Sequence, residues 1–135
     1  MKTAAVAMLS CVLAACAAQQ PETAQSNDTG IDVEGIIIRN ALAYTVKDVM
    51  VEVPATGGFA GCGNILPRSE CRTSFQAVGY QQNALLVSWS EHGEARGTDE
   101  FKVKLPQGVG PCDTVWLEVI IYAPGLAGAR LIQPE

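Results

Sequence analysis

The stretch VKDVMVEV at residues 46–53 decides the fold class of this chain. Its valines Val49, Val51 and Val53 alternate with other residues and share one face of an extended strand. A period of two is typical of a β-strand with one buried face, because successive side chains point to opposite faces. Pro54 follows immediately and predicts the end of the strand.

Six further segments have the composition of strands, and turn-forming residues separate them. They are residues 34–40, 59–64, 71–78, 83–90, 101–105 and 114–122. Residues 83–105 are predicted to form a long hairpin with its exposed tip at 91–98. Residues 114–122 are β-branched and aromatic on both faces, which predicts a central strand. About seven such strands predict an all-β sandwich, and a small closed β-barrel would satisfy the same pattern.

The order of these segments resembles the immunoglobulin-like and fibronectin type III-like domains of bacterial envelope proteins. The resemblance lies in an apolar run that ends at Asn40, the alternating valine strand and the turn at Pro54. It implies an immunoglobulin-like β-sandwich and carries no functional site with it. The Cys…Trp…Cys spacing of true immunoglobulin domains is missing, because Trp89 follows both Cys62 and Cys71.

Residues 1–15 have the composition of a signal peptide, with Lys2 followed by an uncharged apolar run. That run is shorter than the ~20 residues that a membrane-spanning helix needs. Its end, Leu13-Ala14-Ala15-Cys16, resembles the lipobox of bacterial lipoproteins. The resemblance implies cleavage before Cys16 and its acylation, whereas ordinary signal cleavage would leave Cys16 a stray thiol.

The residue after the lipidated cysteine bears on where such a lipoprotein is sorted. Here it is Ala17 rather than the aspartate typical of inner-membrane retention. By resemblance we expect a lipid-anchored protein of the outer membrane that faces the periplasm. Cys11 is a poorer lipidation candidate, because Met8 would take the leucine position of the motif.

The rest of the chain divides into a tether and a domain. Residues 16–30 are polar, lack aromatic side chains and are predicted to form a flexible tether behind the lipidated cysteine. Residues 31–135 are predicted to form one β-sandwich domain, which is long enough for a single core. Removing the leader takes away Lys2 and changes the net charge from −5 to −6. An acidic chain without a basic patch argues against nucleic-acid binding.

The domain contains three cysteines, Cys62, Cys71 and Cys112. Exported proteins can keep disulfides, and the turn between Cys62 and Cys71 can bring their Cα atoms close enough for one. We predict the Cys62–Cys71 bridge, which leaves Cys112 as a candidate free thiol. The sequence leaves open the two pairings that involve Cys112.

The glycine-rich stretch at Gly57, Gly58 and Phe59 is a candidate partner-binding loop. It lacks the Gly-Lys-Ser/Thr ending of a phosphate-binding loop. Loops on a rigid scaffold often carry binding residues, and this one includes an aromatic side chain. A connecting loop without function is the alternative interpretation.

His92 is the chain's one histidine, and it lies at the predicted hairpin tip with Glu91 and Glu94. Zinc sites usually combine paired ligands at short spacing, which are missing here, so no metal or cofactor is predicted. The chain also lacks a G-x-S-x-G or S-x-x-K motif for nucleophilic catalysis. No catalytic residue is predicted.

These features together predict a non-enzymatic periplasmic lipoprotein that serves as an interaction or structural module of the cell envelope. Its expected partners are the membrane, through the lipid anchor, and an unknown envelope protein, glycan or lipid. The alternative function is that of a periplasmic carrier for a small ligand or metal, using Cys112, His92 and nearby acidic residues.

Overall fold

The computed structural model describes residues 28–134, which form an all-β sandwich of eight strands. The strands are β1 (Asp32–Asn40), β2 (Val46–Val53), β3 (Gly58–Ile65), β4 (Glu70–Gly79), β5 (Leu86–Glu91), β6 (Glu94–Gly97), β7 (Thr114–Ala123) and β8 (Leu126–Ile132). None of the residues from 28 to 134 belongs to a helix long and apolar enough to cross a membrane.

The strands form two sheets of four. One has the order β4-β1-β7-β8 and the other β3-β2-β5-β6, and neither sheet closes on itself. Side chains from both sheets meet in one apolar core, with Ile38, Val87 and Val119 fully buried at its centre. The predicted sandwich is therefore confirmed, and the barrel alternative is wrong because both sheets keep open edges.

The valine pattern that predicted β2 gives the strand with the predicted bounds, Val46–Val53. Val49 and Val51 are buried, as the alternation requires. Val46 is buried as well, although a strict period of two would turn it outward. The register shifts between Val46 and Val49, and Asp48 has a φ of 52°. A β-bulge at Asp48 therefore returns Val46 to the core face.

β7 lies between β1 and β8, and it pairs with β1 in parallel and with β8 antiparallel. Its alternate residues Val115, Leu117, Val119 and Ile121 face the core. The predicted central strand is confirmed. The structure also shows β8, which the sequence did not predict, so there are eight strands rather than seven.

The predicted strand at residues 101–105 is wrong. Phe101 makes a single β-bridge with Leu85, and the chain then leaves the sheet. Val103 is nevertheless buried, and the hydroxyl of Tyr80 donates a hydrogen bond to its carbonyl oxygen. The apolar alternation here reflects core packing of a connection between strands rather than pairing in a sheet.

The connections between strands gather at two ends of the sandwich. The proximal end, where the chain enters at Asp28, carries the connections at 54–57, 80–85 and 98–113. The distal end carries the connections at 41–45, 66–69, 92–93 and 124–125. This division follows from the strand directions, since β1 and β7 run from the proximal to the distal end.

Asn40 holds the distal connections together. Its Nδ2 donates to the carbonyl oxygens of Tyr44, at 2.7 Å, and of Ile65 and Leu66, both at 3.1 Å. Its Oδ1 accepts a hydrogen bond from the backbone N–H of Leu42 at 3.0 Å. A buried amide that is fully hydrogen-bonded gives a fixed geometry, and this one joins the β1–β2 and β3–β4 connections.

Residues 28–30, which sequence analysis placed in the tether, are bonded to the domain. Thr29 Oγ1 donates to the Tyr80 carbonyl oxygen at 2.7 Å, and the N–H of Cys112 donates to the Gly30 carbonyl oxygen at 2.9 Å. The rest of the predicted tether, together with the signal peptide and Cys16, lies outside the described residues.

Candidate functional site

The β2–β3 hairpin at the proximal end contains the residues that sequence analysis proposed for partner binding. Its turn spans residues 54–57, between the end of β2 and the start of β3. The N–H groups of Thr56 and Gly57 both donate to the Val53 carbonyl oxygen, at 3.1 and 2.9 Å. Gly57 has a φ of 74°, which is natural for glycine and strained for other residues. Backbone hydrogen bonds therefore define this turn.

The predicted loop is shorter than the sequence suggested. Gly57 lies in the turn, whereas Gly58 and Phe59 are the first residues of β3. Phe59 pairs with Glu52 across the hairpin, and Gly58 pairs with Val53. The strand pairing extends this far because the turn closes tightly on the Val53 carbonyl oxygen.

Phe59 is the most exposed large apolar side chain among the described residues, with 73% of its surface accessible. Its cross-strand partner Glu52 faces outward with it, because Val51 and Ala60 at the next position pack into the core. Beside Phe59 lies a shallow hollow of about 280 Å³. It is lined by Met50, Glu52, Val53, Pro54, Gly57 and Gly58. The hairpin therefore exposes an aromatic ring next to a turn whose backbone is fixed by hydrogen bonds.

Cys62 and Cys71 form a disulfide, as predicted, with their Cα atoms 6.1 Å apart. The prediction had the two cysteines on strands that meet across a turn. In the structure Cys62 lies on β3 and Cys71 on β4, which are edge strands of different sheets. The bridge therefore ties the two sheets together along one edge of the sandwich.

The prediction of a free thiol at Cys112 is wrong, because Cys112 has a bonding partner in the structure. It lies in the connection before β7 with a φ of 72°. Its backbone is bound to Gly30 at the proximal end. Counting cysteines in the sequence could not show which groups the fold brings beside this residue.

His92 occupies the two-residue turn between β5 and β6, where His92 and Gly93 have φ values of 49° and 77°. Its ring lies against the ring of Tyr44, with the centroids 4.0 Å apart. Between residues 28 and 134, no group of three or more His, Cys, Asp and Glu side chains could hold a metal ion. The ligands named for the alternative carrier function are thus not gathered into a site in this part of the chain.

The buried carboxylate of Glu91 lies beside this turn. Tyr44 donates its hydroxyl hydrogen to Oε2 of Glu91 at 3.0 Å, and the Nε of Arg96 is 3.0 Å from Oε1. Desolvation raises the pKa of the Tyr44 phenol, and the hydrogen bond to Glu91 raises it further. These contacts neutralise a charge that burial would otherwise disfavour, which indicates a structural role for Glu91.

A second group of charges crosses the outer face of the sheet that contains β1 and β7. The buried carboxylate of Glu118 accepts from the Nε of Arg39 at 3.1 Å and from the Nε of Arg130 at 2.7 Å. Arg39 also pairs with Glu70, and a hydrogen bond from Arg72 lowers the pKa of the Glu70 carboxyl. The sequence does not reveal this network, because its members lie on four different strands.

No protein-family model matches the chain, and no curated protein matches it. A solved structure that resembles it is the NMR structure of a protein from Eubacterium rectale, with 16% sequence identity and a TM-score of 0.45. The match covers 83% of this chain and 97% of that chain. Functional inference therefore depends on the residues of the chain itself.

Proposed function

We propose that the protein is a lipid-anchored, non-enzymatic module of the bacterial cell envelope that contacts another envelope component through its β2–β3 hairpin. The anchor is the acylated Cys16, and the location is the outer membrane on its periplasmic face. The β-sandwich is of the immunoglobulin-like or fibronectin type III-like kind, which serves as a scaffold for binding surfaces.

The exposure of Phe59 is the observation that carries the proposed contact. A large aromatic side chain that is 73% accessible gains more from a partner than from water, and aromatic residues are enriched in binding sites. The hydrogen-bonded turn at residues 54–57 fixes the backbone that carries the ring before binding. A preorganised contact loses less conformational entropy when the partner arrives.

The sequence Leu13-Ala14-Ala15-Cys16 supports the anchor. We expect Cys16→Ser to move the protein from the membrane fraction to the soluble fraction of lysed cells. Cys11→Ser is the matched control and should leave the protein in the membrane fraction. Unchanged fractionation of the Cys16→Ser variant would contradict the anchor.

The contact itself is tested by a photoreactive phenylalanine analogue placed at position 59 of the full chain in intact cells. A matched probe replaces Leu66, which is 65% exposed at the distal end. We expect cross-links to envelope components from position 59 in clear excess over those from position 66. Equal cross-linking from the two positions would contradict a contact through the hairpin.

A further inference from the structure

We propose that the partner of the β2–β3 hairpin is the bilayer that holds the anchor, and that Phe59 inserts into the lipid interface. This inference rests on the proposed lipid anchor at Cys16. It names the lipid, among the envelope components that the hairpin could contact. In this orientation the proximal end of the domain faces the membrane, and the distal connections point away from it.

The first argument is that the hairpin lies at the end where the chain enters the domain. Asp28 and the turn at 54–57 both lie at the proximal end of the sandwich. Only residues 17–27 separate Cys16 from Asp28, and this stretch spans at most about 40 Å even when fully extended. The nine residues of β1 place the distal end about 30 Å further from that point. The hairpin is therefore at the end of the domain nearer to the anchor.

The exposed apolar side chains that accompany Phe59 at the proximal end are the second argument. Val78, at the end of β4, is 54% exposed, and Leu105, in the connection at 98–113, is 39% exposed. Both belong to the proximal end, as Phe59 does. The distal end also has side chains that are more than half exposed, namely Leu66, Tyr122 and Leu126, so the position of the anchor, and not the amount of exposed apolar surface, selects the proximal end. Aromatic and aliphatic side chains at the surface of a membrane-attached domain are the groups that partition into the interfacial region.

Charge decides what kind of membrane contact this is. Lys102 and Lys104 are exposed beside Leu105, but Asp99 and Glu100 are exposed at the same end. Mixed charges do not attract the domain to anionic lipid, so the contact depends on apolar burial. The tether compensates for the small size of this patch, because it keeps the bilayer at a high effective concentration.

The test uses the full-length lipidated protein reconstituted into phosphatidylcholine vesicles, with and without brominated acyl chains. Phe59→Trp places a fluorophore in the hairpin, and Leu66→Trp places one at a comparably exposed distal position. The wild-type signal from Trp89 and Trp116 is subtracted from both. We expect brominated lipid to quench the added fluorophore of F59W at least twofold and to leave that of L66W unchanged, with no dependence on salt.

The outcomes separate this inference from the proposed function. If the vesicles carry the protein and the fluorophore of F59W is quenched no more than that of L66W, the membrane contact is overturned and the anchor stands. Quenching that added salt abolishes would also overturn the membrane contact, because the contact would then be electrostatic. A protein that fails to float with the vesicles would overturn the anchor and the membrane contact together.

Discussion

The indole of Trp116 on β7 lies against the backbone of Gly35 on the neighbouring strand β1. A Cβ atom at position 35 would lie 2.6 Å from the ring carbons Cε3 and Cζ3 of Trp116. The indole N–H donates to Glu34 Oε1 at 3.2 Å, which helps to hold the ring there. A large aromatic ring thus covers a glycine that has no side chain of its own to pack, an arrangement that stabilises strands with glycine.

Gly35→Ala is expected to lower the free energy of unfolding by about 1–3 kcal/mol, because the added methyl group overlaps the ring. The same change in a Trp116→Ala background should cost much less, since the ring is gone. Urea denaturation of the four proteins gives the coupling energy between the two positions. An equal cost in both backgrounds would show that the destabilisation comes from the backbone at position 35 and not from overlap with the Trp116 ring.

The disulfide between Cys62 and Cys71 joins the edge strands of two sheets. Replacing both cysteines by alanine should lower stability by about 2–3 kcal/mol, as the chain-entropy model gives for so short a loop. Thermal unfolding under non-reducing conditions measures the loss. Peptide mapping without reductant should recover a peptide that links the two residues, and recovering either of them bridged to Cys112 would overturn the pairing.

The ion pairs of Glu118 are expected to matter more than those at the surface. Its carboxylate is 3% exposed and binds two arginines. Glu118→Gln should therefore cost about 1–3 kcal/mol, because it takes the counter-charge from Arg130 and leaves Arg39 paired with Glu70 alone. Glu94→Gln is the control, because Glu94 is 67% exposed in its pair with Arg96 and should cost less than about 1 kcal/mol. Chemical denaturation compares the two, and equal costs would contradict the role of burial.

The stability of the domain should fall at alkaline pH because of Tyr80. Burial raises the pKa of its phenol above the ordinary value of 10.0. Above that pH the unfolded chain loses the proton first, so stability is fully present below about pH 10 and is lost as the pH rises through the folded-state pKa. Tyr44 contributes in the same direction, since its pKa is also raised.

Tyr80→Phe separates two contributions of the phenol to stability, namely its hydrogen bond and its titration at alkaline pH. The variant loses the hydrogen bond to the Val103 carbonyl oxygen, so it should be less stable than the wild type at pH 8. It should nevertheless lose less stability between about pH 9 and pH 11, because one shifted group is gone. Denaturant unfolding at a series of pH values measures how the free energy of unfolding of each protein changes with pH. Parallel curves would show that Tyr80 does not cause the loss of stability at alkaline pH.

Local sequence patterns predicted most of the strands, for a reason that β2 and β7 illustrate. In β2, the alternation of apolar residues over Val46–Val53 indicates one buried face. In β7, the run of β-branched residues over Thr114–Ala123 indicates burial on both faces. The same signal was misleading at 101–105, where Val103 is buried without a partner strand. It was too weak to identify β8, an edge strand in which only Leu131 is deeply buried.

The sequence predicted which residues form the candidate site, but not where in the fold they lie. Glycines followed by an aromatic residue marked Gly57, Gly58 and Phe59, and the structure adds that Phe59 is exposed at the proximal end. The fold likewise places Trp116 on the outer face of β7, over Gly35. Its place depends on a neighbour that is distant in the chain.

The sequence by itself determined that this chain is all-β, because the alternation of apolar residues is a local property of each strand, whereas the open edges of the two sheets decided for a sandwich over a barrel. It also favoured the pairing of Cys62 with Cys71, because only a short turn separates them. The tertiary structure alone decided that β1 pairs in parallel with β7 and that the disulfide joins two sheets. Strand partners are chosen by packing over long sequence separations, and that choice placed Phe59 at the end where the chain enters the domain.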